Sequence, residues 1–238
     1  MSIRLHLVVE GQTEETFVNQ LLKPHLANFS VWADVRSVET SRRKTRVYRG
    51  GVTSYKRLRG DLKRWMREDQ RSDVWFSTMI DLYGLSVLQD SFPGYEQSKG
   101  ESDAYKRVEY LERQWDADMA ERHFIPYLQL HEFEALVLVD PAQLLREFNG
   151  IEKQTDRLVK MVGAFDSPEL INDGANTSPS KRIIAEIPAY EGRKRSLGPI
   201  ITSRVGLTKL RSHCPHFKVW LERLENLPNE NRNTNFRK

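Results

Sequence analysis

Residues 74–81 read VWFSTMID, an almost unbroken apolar and β-branched run closed by an aspartate. That composition and length predict a buried strand, the strongest in the chain. A carboxylate ending such a strand must be hydrogen-bonded, capped or functional, because burying it alone is costly. Upstream, residues 3–9 (IRLHLVV) predict a second buried strand that runs into Glu10-Gly11, and residues 31–38 (VWADVRSV) predict a third. Between them Thr13 is a plausible N-cap for a helix in which Phe17, Leu21 and Leu22 recur at helical spacing until Pro24 weakens it. Residues 55–68 predict a helix whose apolar stripe is Leu58, Leu62, Trp65 and Met66. Downstream, residues 90–103 read as a loop, 105–122 as a charged helix, and 124–130 as a short strand leading straight into a helix over 132–139. Strand and helix patterns alternate to about residue 140, which predicts βαβ units: an α/β, Rossmann-like, mostly parallel sheet flanked by helices.

After Pro141 the pattern changes to short helical pieces separated by polar stretches. The expected organisation is an α/β domain over 1–150, a helical C-terminal extension packed on it over 151–228, and a disordered tail over 229–238. The net charge of +4 and pI near 9.1 permit an anionic partner without demanding one. Distribution is more telling: between Arg36 and Arg71 there are thirteen Lys/Arg against four Asp/Glu, and between Asp73 and Glu147 fifteen Asp/Glu against six Lys/Arg. One cysteine, Cys214, excludes an internal disulfide framework and fits a reducing compartment. With no secretory signal pattern and no run of about 20 apolar residues, a cytoplasmic protein without a membrane span is expected.

In an open α/β sheet, ligands collect where strands end and helices begin. Three segments meet that rule: Glu10 to Glu14 (EGQTE), Asp81 to Gly84 (DLYG), and His131 to Glu134 (HEFE). Acidic groups from three strand ends make an oxygen-rich site suited to Mg²⁺ or Mn²⁺. The candidate ligands are Glu10, Glu14, Asp81, Glu132 and Glu134. A helix would turn residues 132 and 134 apart by about 200°, so only one of that pair is expected to join.

The segments LVVEGQTEETF, TMIDLYG, LQLHEFEALVLVDP and SPSKRIIAEI, in that order, resemble an uncharacterised bacterial family, domain of unknown function 4276, a relative of the Toprim fold. The resemblance spans roughly residues 5–224. It implies a Toprim-like domain in which Glu10 and Asp81 are catalytic and hold divalent metal, as in topoisomerases, primases and nucleases of the overcoming-lysogenization-defect type. Tyr83 stands where such domains usually carry a second aspartate, so Glu14, Glu132 or Glu134 must compensate. The implied function is a metal-dependent nuclease or related phosphotransfer enzyme, an effector of phage defence, acting on DNA or RNA, with an ATPase as potential partner. The alternative is a non-catalytic adaptor that binds nucleic acid or an ATPase.

Phosphate contacts are expected from Arg42, Arg43, Lys44, Arg46, Lys56 and Arg59 in the basic stretch, with Tyr48, Tyr55 and Trp65 available for stacking on bases. The bland alternative is a solvated helix and hairpin with Trp65 in the core. Lys181 and Arg182, after the Ser178-Pro179 helix start, are further phosphate candidates, and the acid-free stretch 193–211 adds to the basic surface. His213-Cys214-Pro215-His216 has no second cluster to complete a soft-metal site and reads as structural. With neither a Gly-Lys-Ser/Thr phosphate loop nor a three-glycine dinucleotide fingerprint, ATPase and nicotinamide chemistry are disfavoured, and no cofactor beyond the metal is expected.

Overall fold

The computed structural model describes residues 2–43, 46–49, 52–171 and 176–235, with backbone alone for 39–43, 46–49 and 232–235. Strand β1 (Ile3–Val9) pairs in parallel with β2 (Val31–Ser37) on one side and β5 (Val74–Asp81) on the other, and β5 carries β6 (Phe124–Ile125) and β7 (Leu128–Gln129), also parallel, on its far edge. The order β2-β1-β5-β6/β7 is the parallel α/β sheet expected from the alternation. A separate hairpin, β3 (Glu39–Arg43) with β4 (Arg46–Arg49), follows β2.

The single strand expected over 124–130 is broken in two by Pro126, which has no amide to donate. Side chains on β5 bridge the gap: the Thr78 hydroxyl accepts from the Tyr127 N–H (2.8 Å) and donates to the Tyr127 carbonyl (3.0 Å), while Ser77 Oγ donates to the Ile125 carbonyl (2.6 Å).

The side-chain period of two sorts each strand between two cores. On one face Ile3, Leu5, Leu7 and Val9 join Trp75 and Met79 under α1 (Gln12–Phe17) and the C-terminal helices α9 (Lys194–His213) and α10 (Pro215–Asn235). On the other, Val8, Val74, Phe76 and Ile80 pack against α3 (Tyr55–Glu68) and α5 (Ala104–Met119) through Leu58, Leu62, Trp65, Val108, Leu111 and Trp115, with the single turn α4 (Tyr95–Ser98) adding Tyr95. The C-terminal stretch, including Leu158 of α7 (Glu152–Val162), therefore shares the first of these helical layers with α1. Trp220 of α10 even donates its indole N–H to Ser77 Oγ beneath the sheet (2.9 Å). The first helix does not stop at Pro24: a π-helical turn, Val18–Leu22, precedes α2 (Lys23–Ala27), which keeps Pro24 in its first turn, where a missing amide is tolerated. Helix α10 continues through Asn235, so the stretch 229–235 is helical where a disordered tail was expected, with Asn231 packed into the interior. Among the described residues no helix is long and apolar enough to cross a membrane.

Candidate acidic centre at the sheet rim

Because β1, β5 and β7 run in parallel, their carboxyl ends share one rim. The Glu10 N–H donates to the Met79 carbonyl (3.1 Å), and the Asp81 N–H donates to Glu10 Oε2 (3.0 Å). On the other side, the Leu82 N–H donates to the Gln129 carbonyl (2.9 Å) and the Tyr83 N–H to the His131 carbonyl (3.0 Å). Three loops are thus laced by backbone hydrogen bonds into one surface. His131 makes the turn after β7 with φ of +62°, left-handed backbone that a non-glycine residue adopts at a cost.

Glu14 lies in the first turn of α1, only 6% exposed, and its Oε2 accepts the Gly11 N–H (2.8 Å). Gly11, not Thr13, is the N-cap. Having no capping side chain of its own, it leaves an amide for Glu14 to satisfy. Glu132 precedes α6 (Glu134–Val137) and does not belong to it, so helical geometry does not separate the two acids, and the charges of both reach Asp81. Glu132 Oε2 accepts the Ser180 N–H (2.9 Å) in the first turn of α8 (Pro179–Glu186), where the helix dipole favours an anion. Glu134 is buried.

These neighbours determine where protons reside. Burial raises Asp81 well above the ordinary carboxylate range, and the charges of Glu10, Glu14, Glu134 and Glu132 raise it further. Burial also raises Glu10 against the opposing hydrogen bonds from the Asp81 and Val52 amides, with Glu132 adding to the rise and Lys194 opposing it. Glu14 is pushed up to about 8, first by burial and then by Glu10. Glu134 is pushed up to about 7 by burial, with the Lys194 charge opposing. Like charges in a poorly solvated space cannot all ionise. Burial and mutual repulsion therefore favour protons on these carboxylates near neutral pH, and a divalent cation could replace them.

Two observations bear on whether a cation fits. Asp81 Oδ1 is buried and has no hydrogen-bond partner among the described residues. Gly84 lies directly over the Glu10 carboxylate: a Cβ there would stand 3.6 and 3.7 Å from the two Glu10 oxygens. The donor set is also the all-oxygen type that Mg²⁺ and Mn²⁺ prefer. As they stand, no three His, Cys, Asp or Glu among the described residues are grouped tightly enough to hold a metal ion. The residues fit the ion in chemistry, and side-chain rotation would have to complete the shell.

The C-terminal layer contributes residues that strand-end reasoning alone does not find. Lys194, the first residue of α9, sends its charge to Glu10 and Glu134. Helix α9 comes this close because Gly198 has no side chain, since a Cβ there would lie 3.1 Å from Phe133 Cε1 and 3.2 Å from Thr13 Cγ2. Tyr190 is also buried beside the centre, where the charges of Glu134 and Glu132 reach its phenol. A sequence signal existed for two of these: Ser180 sits in the SPSKRIIAEI segment and Lys194 in the acid-free basic stretch.

The basic stretch looks different in three dimensions. The Arg59 Nε donates to Asp118 Oδ2 (2.7 Å), Arg36 pairs with Glu68 (3.0 Å) and lies over the Trp65 ring, and Arg64 pairs with Asp61. Arg59 is therefore occupied, Trp65 is a core residue, and Tyr55 is buried with its hydroxyl on Asp118, so neither ring is free to stack on bases. Lys56 is exposed. Arg42, Arg43 and Arg46 lie on the hairpin, where their side chains, like that of Tyr48, are outside the described residues, as is all of Lys44. Lys181 is exposed, while Arg182 donates from Nε to the Thr177 carbonyl (2.9 Å) and covers the Phe165 ring. Cys214 is buried, and His216 bonds Glu112 (3.0 Å) and stacks on Tyr127, so both serve the fold.

Fold and site together define a parallel α/β protein with a buried group of carboxylates at the carboxyl rim of its sheet. The chain belongs to the family described as Domain of unknown function (DUF4276), whose model matches residues 9–225. No curated protein and no solved structure matches it significantly.

Proposed function

We propose that this protein is a divalent-metal-dependent enzyme acting on nucleic-acid phosphodiesters from a Toprim-like centre, akin to nucleases of the overcoming-lysogenization-defect type. The observation that carries the reading is the convergence of Glu10, Glu14, Asp81, Glu132 and Glu134 from three strand ends, with Asp81 Oδ1 buried and unpartnered. Glu10, Asp81 and Glu134 would hold Mg²⁺ or Mn²⁺, with Glu132 and Glu14 completing the charge around it. When bound, the ion would polarise the phosphoryl group and lower the proton affinity of the attacking water. Glu10, the acid beside Gly84, would accept that water's proton. The acid absent at position 83 is made up by Glu132, which the bond from the Tyr83 N–H to the His131 carbonyl brings alongside. Lys194 and exposed Lys181 would meet substrate phosphates, while Lys56 and the hairpin arginines would track the backbone further out. A cytoplasmic defence effector working with an ATPase fits this chemistry.

The test is cleavage of single- and double-stranded DNA and RNA with Mg²⁺ or Mn²⁺, comparing wild type with Glu10→Gln and Asp81→Asn. Metal-dependent cleavage lost in both variants, with folding intact, is expected. Equal cleavage in the variants removes the assignment. A second reading, an adaptor that binds nucleic acid or an ATPase without catalysis, is favoured by one observation: no three of the acids are gathered around an ion position. It predicts no Mn²⁺ binding at this rim.

A further inference from the structure

The amino end of the sheet holds a second concave site. Strand β5 is 8 residues long, so at about 3.3 Å per residue its first residue, Val74, lies roughly 23 Å from Asp81 at the acidic rim. A cavity of about 470 Å³ lies there, between the end of α3, the start of β5 and the turn before β6. That volume falls within the range of small-molecule sites, about 300–1,000 Å³. Met66, Val74 and Phe76 form its apolar wall. Around them stand four cations, Lys63, Arg67, Arg71 and Arg122, against two acids, Asp69 and Glu121. Both acids are already engaged. Asp69 accepts from Arg71 Nε (2.7 Å) and Nη2 (2.6 Å) and bonds His6 Nε2 (2.9 Å), and Glu121 lies 3.6 Å from Lys63 Nζ. Arg67 and Arg122 are exposed and make no hydrogen bond or ion pair among the described residues. A cation in the last turn of a helix offsets its dipole, which accounts for Arg67 in α3 but not for Arg122, which lies outside any helix.

We propose that this cavity binds a small phosphate monoester carried on a planar or apolar body, such as a nucleoside monophosphate. Two guanidinium groups that answer no acid of the protein leave a twofold positive surplus, and a phosphate monoester carries about −1.5 to −2 at neutral pH. A carboxylate would match only one of the two. Guanidinium forks bind phosphate oxygens in pairs, and Arg71, immobilised by Asp69, adds a fixed charge beside them. Inorganic phosphate alone would leave the wall of Met66, Val74 and Phe76 wet, whereas a base or ring attached to the phosphate covers it. The cavity shares no residue with the acidic centre, so the proposal stands independently of the catalytic reading.

The experiment is titration calorimetry of the full chain, in chelator, with adenosine 5′-monophosphate, adenosine, inorganic phosphate and a 5′-phosphorylated oligonucleotide. The monophosphate should bind more tightly than either adenosine or inorganic phosphate. Arg67→Gln and Arg122→Gln should each weaken it at least about tenfold, the loss of one charge-assisted contact. Both side chains are exposed, so urea unfolding should be unchanged. Lys153→Gln, which removes an exposed charge on α7, should bind the monophosphate as wild type does. No binding of the monophosphate by wild type overturns the proposal, as does adenosine binding equally well. Wild-type affinity in both arginine variants overturns it too, and so does an equal loss in Lys153→Gln, which would leave only net charge at work. Arginine-dependent binding of the oligonucleotide without binding of the monophosphate would replace the small ligand with the end of a strand. None of these outcomes bears on the acidic centre.

Discussion

Glu14→Gln should make the metal-free protein more stable at alkaline pH and leave it nearly unchanged at acid pH. Gln keeps an oxygen to accept the Gly11 N–H at 2.8 Å but cannot ionise. Glu14 rises from 4.5 to about 8 on folding, with burial the larger cause and the Glu10 charge the next. Below pH 4.5 the group is protonated whether folded or not, and the proton contributes its full stabilisation. Between 4.5 and 8 the unfolded chain ionises while the folded one keeps its proton. Stability then falls by about 1.4 kcal/mol per pH unit for this group, a loss of roughly 5 kcal/mol once pH passes 8. Glu10, Asp81 and Glu134 share the same field, and part of the loss is theirs. A net gain of roughly 2–4 kcal/mol for the variant at pH 9 is therefore the reasonable scale. Urea unfolding at pH 5, 7 and 9 in chelator reads it directly. Parallel pH curves for wild type and variant would show that Glu14 ionises freely in the folded protein, and the account of a proton-retaining centre would be wrong.

The same protons should compete with metal: Mn²⁺ should raise the melting temperature more at pH 8.5 than at pH 5.5, because Glu14 (about 8) and Glu134 (about 7) are protonated at the lower pH. An equal shift at both would count against these acids as ligands. Gly84→Ala places a methyl group at ordinary contact distance from both Glu10 oxygens, so stability should change by less than about 1 kcal/mol while Mn²⁺ affinity drops at least about tenfold; unchanged affinity by titration calorimetry would show the ion does not approach there. Ser77→Ala removes the acceptor for the Trp220 indole and the donor to the Ile125 carbonyl, and should cost roughly 2–3 kcal/mol in urea unfolding, whereas a neutral result would detach α10 from the sheet's stability. Arg59→Ala should alter nucleic-acid affinity less than Lys56→Ala, since the Arg59 charge is held by Asp118; a filter-binding series over salt concentration would expose the reverse order.

Much of the sheet was legible because its signals are local. The apolar runs of β1 and β5 need no partner to be recognised, and the amphipathic stripe of α3 gives its burial directly. Glu10 and Asp81 could be chosen for the same reason, as each follows its own strand. The break of the fourth strand was signalled by Pro126, but its repair by Thr78 depends on a side chain 49 residues away. The pairing of Arg59 was hidden for a related reason: the acid that answers it lies 59 residues downstream, in a segment that reads as acidic by itself.

The C-terminal half was hardest to read because its helices are short or apolar on several sides, which erases the 3.6-residue stripe. Gly198 and Pro199 within α9 look like breakers in sequence. In three dimensions Gly198 lets α9 come close to Thr13 and Phe133, and that approach brings the charge of Lys194 to Glu10 and Glu134. The acids come from the first 134 residues, whereas the groups that bind, offset or flank their charges, Ser180, Tyr190 and Lys194, come from beyond residue 178. A sheet carrying the acids alone would concentrate like charges with only backbone amides and solvent to moderate them. Covering one face with the C-terminal layer both desolvates Glu14 and Glu134 and supplies the cation and amide that oppose their repulsion. Removing that layer should therefore lower the proton affinity of these carboxylates along with the stability of the sheet, so the acidic centre belongs to the whole chain.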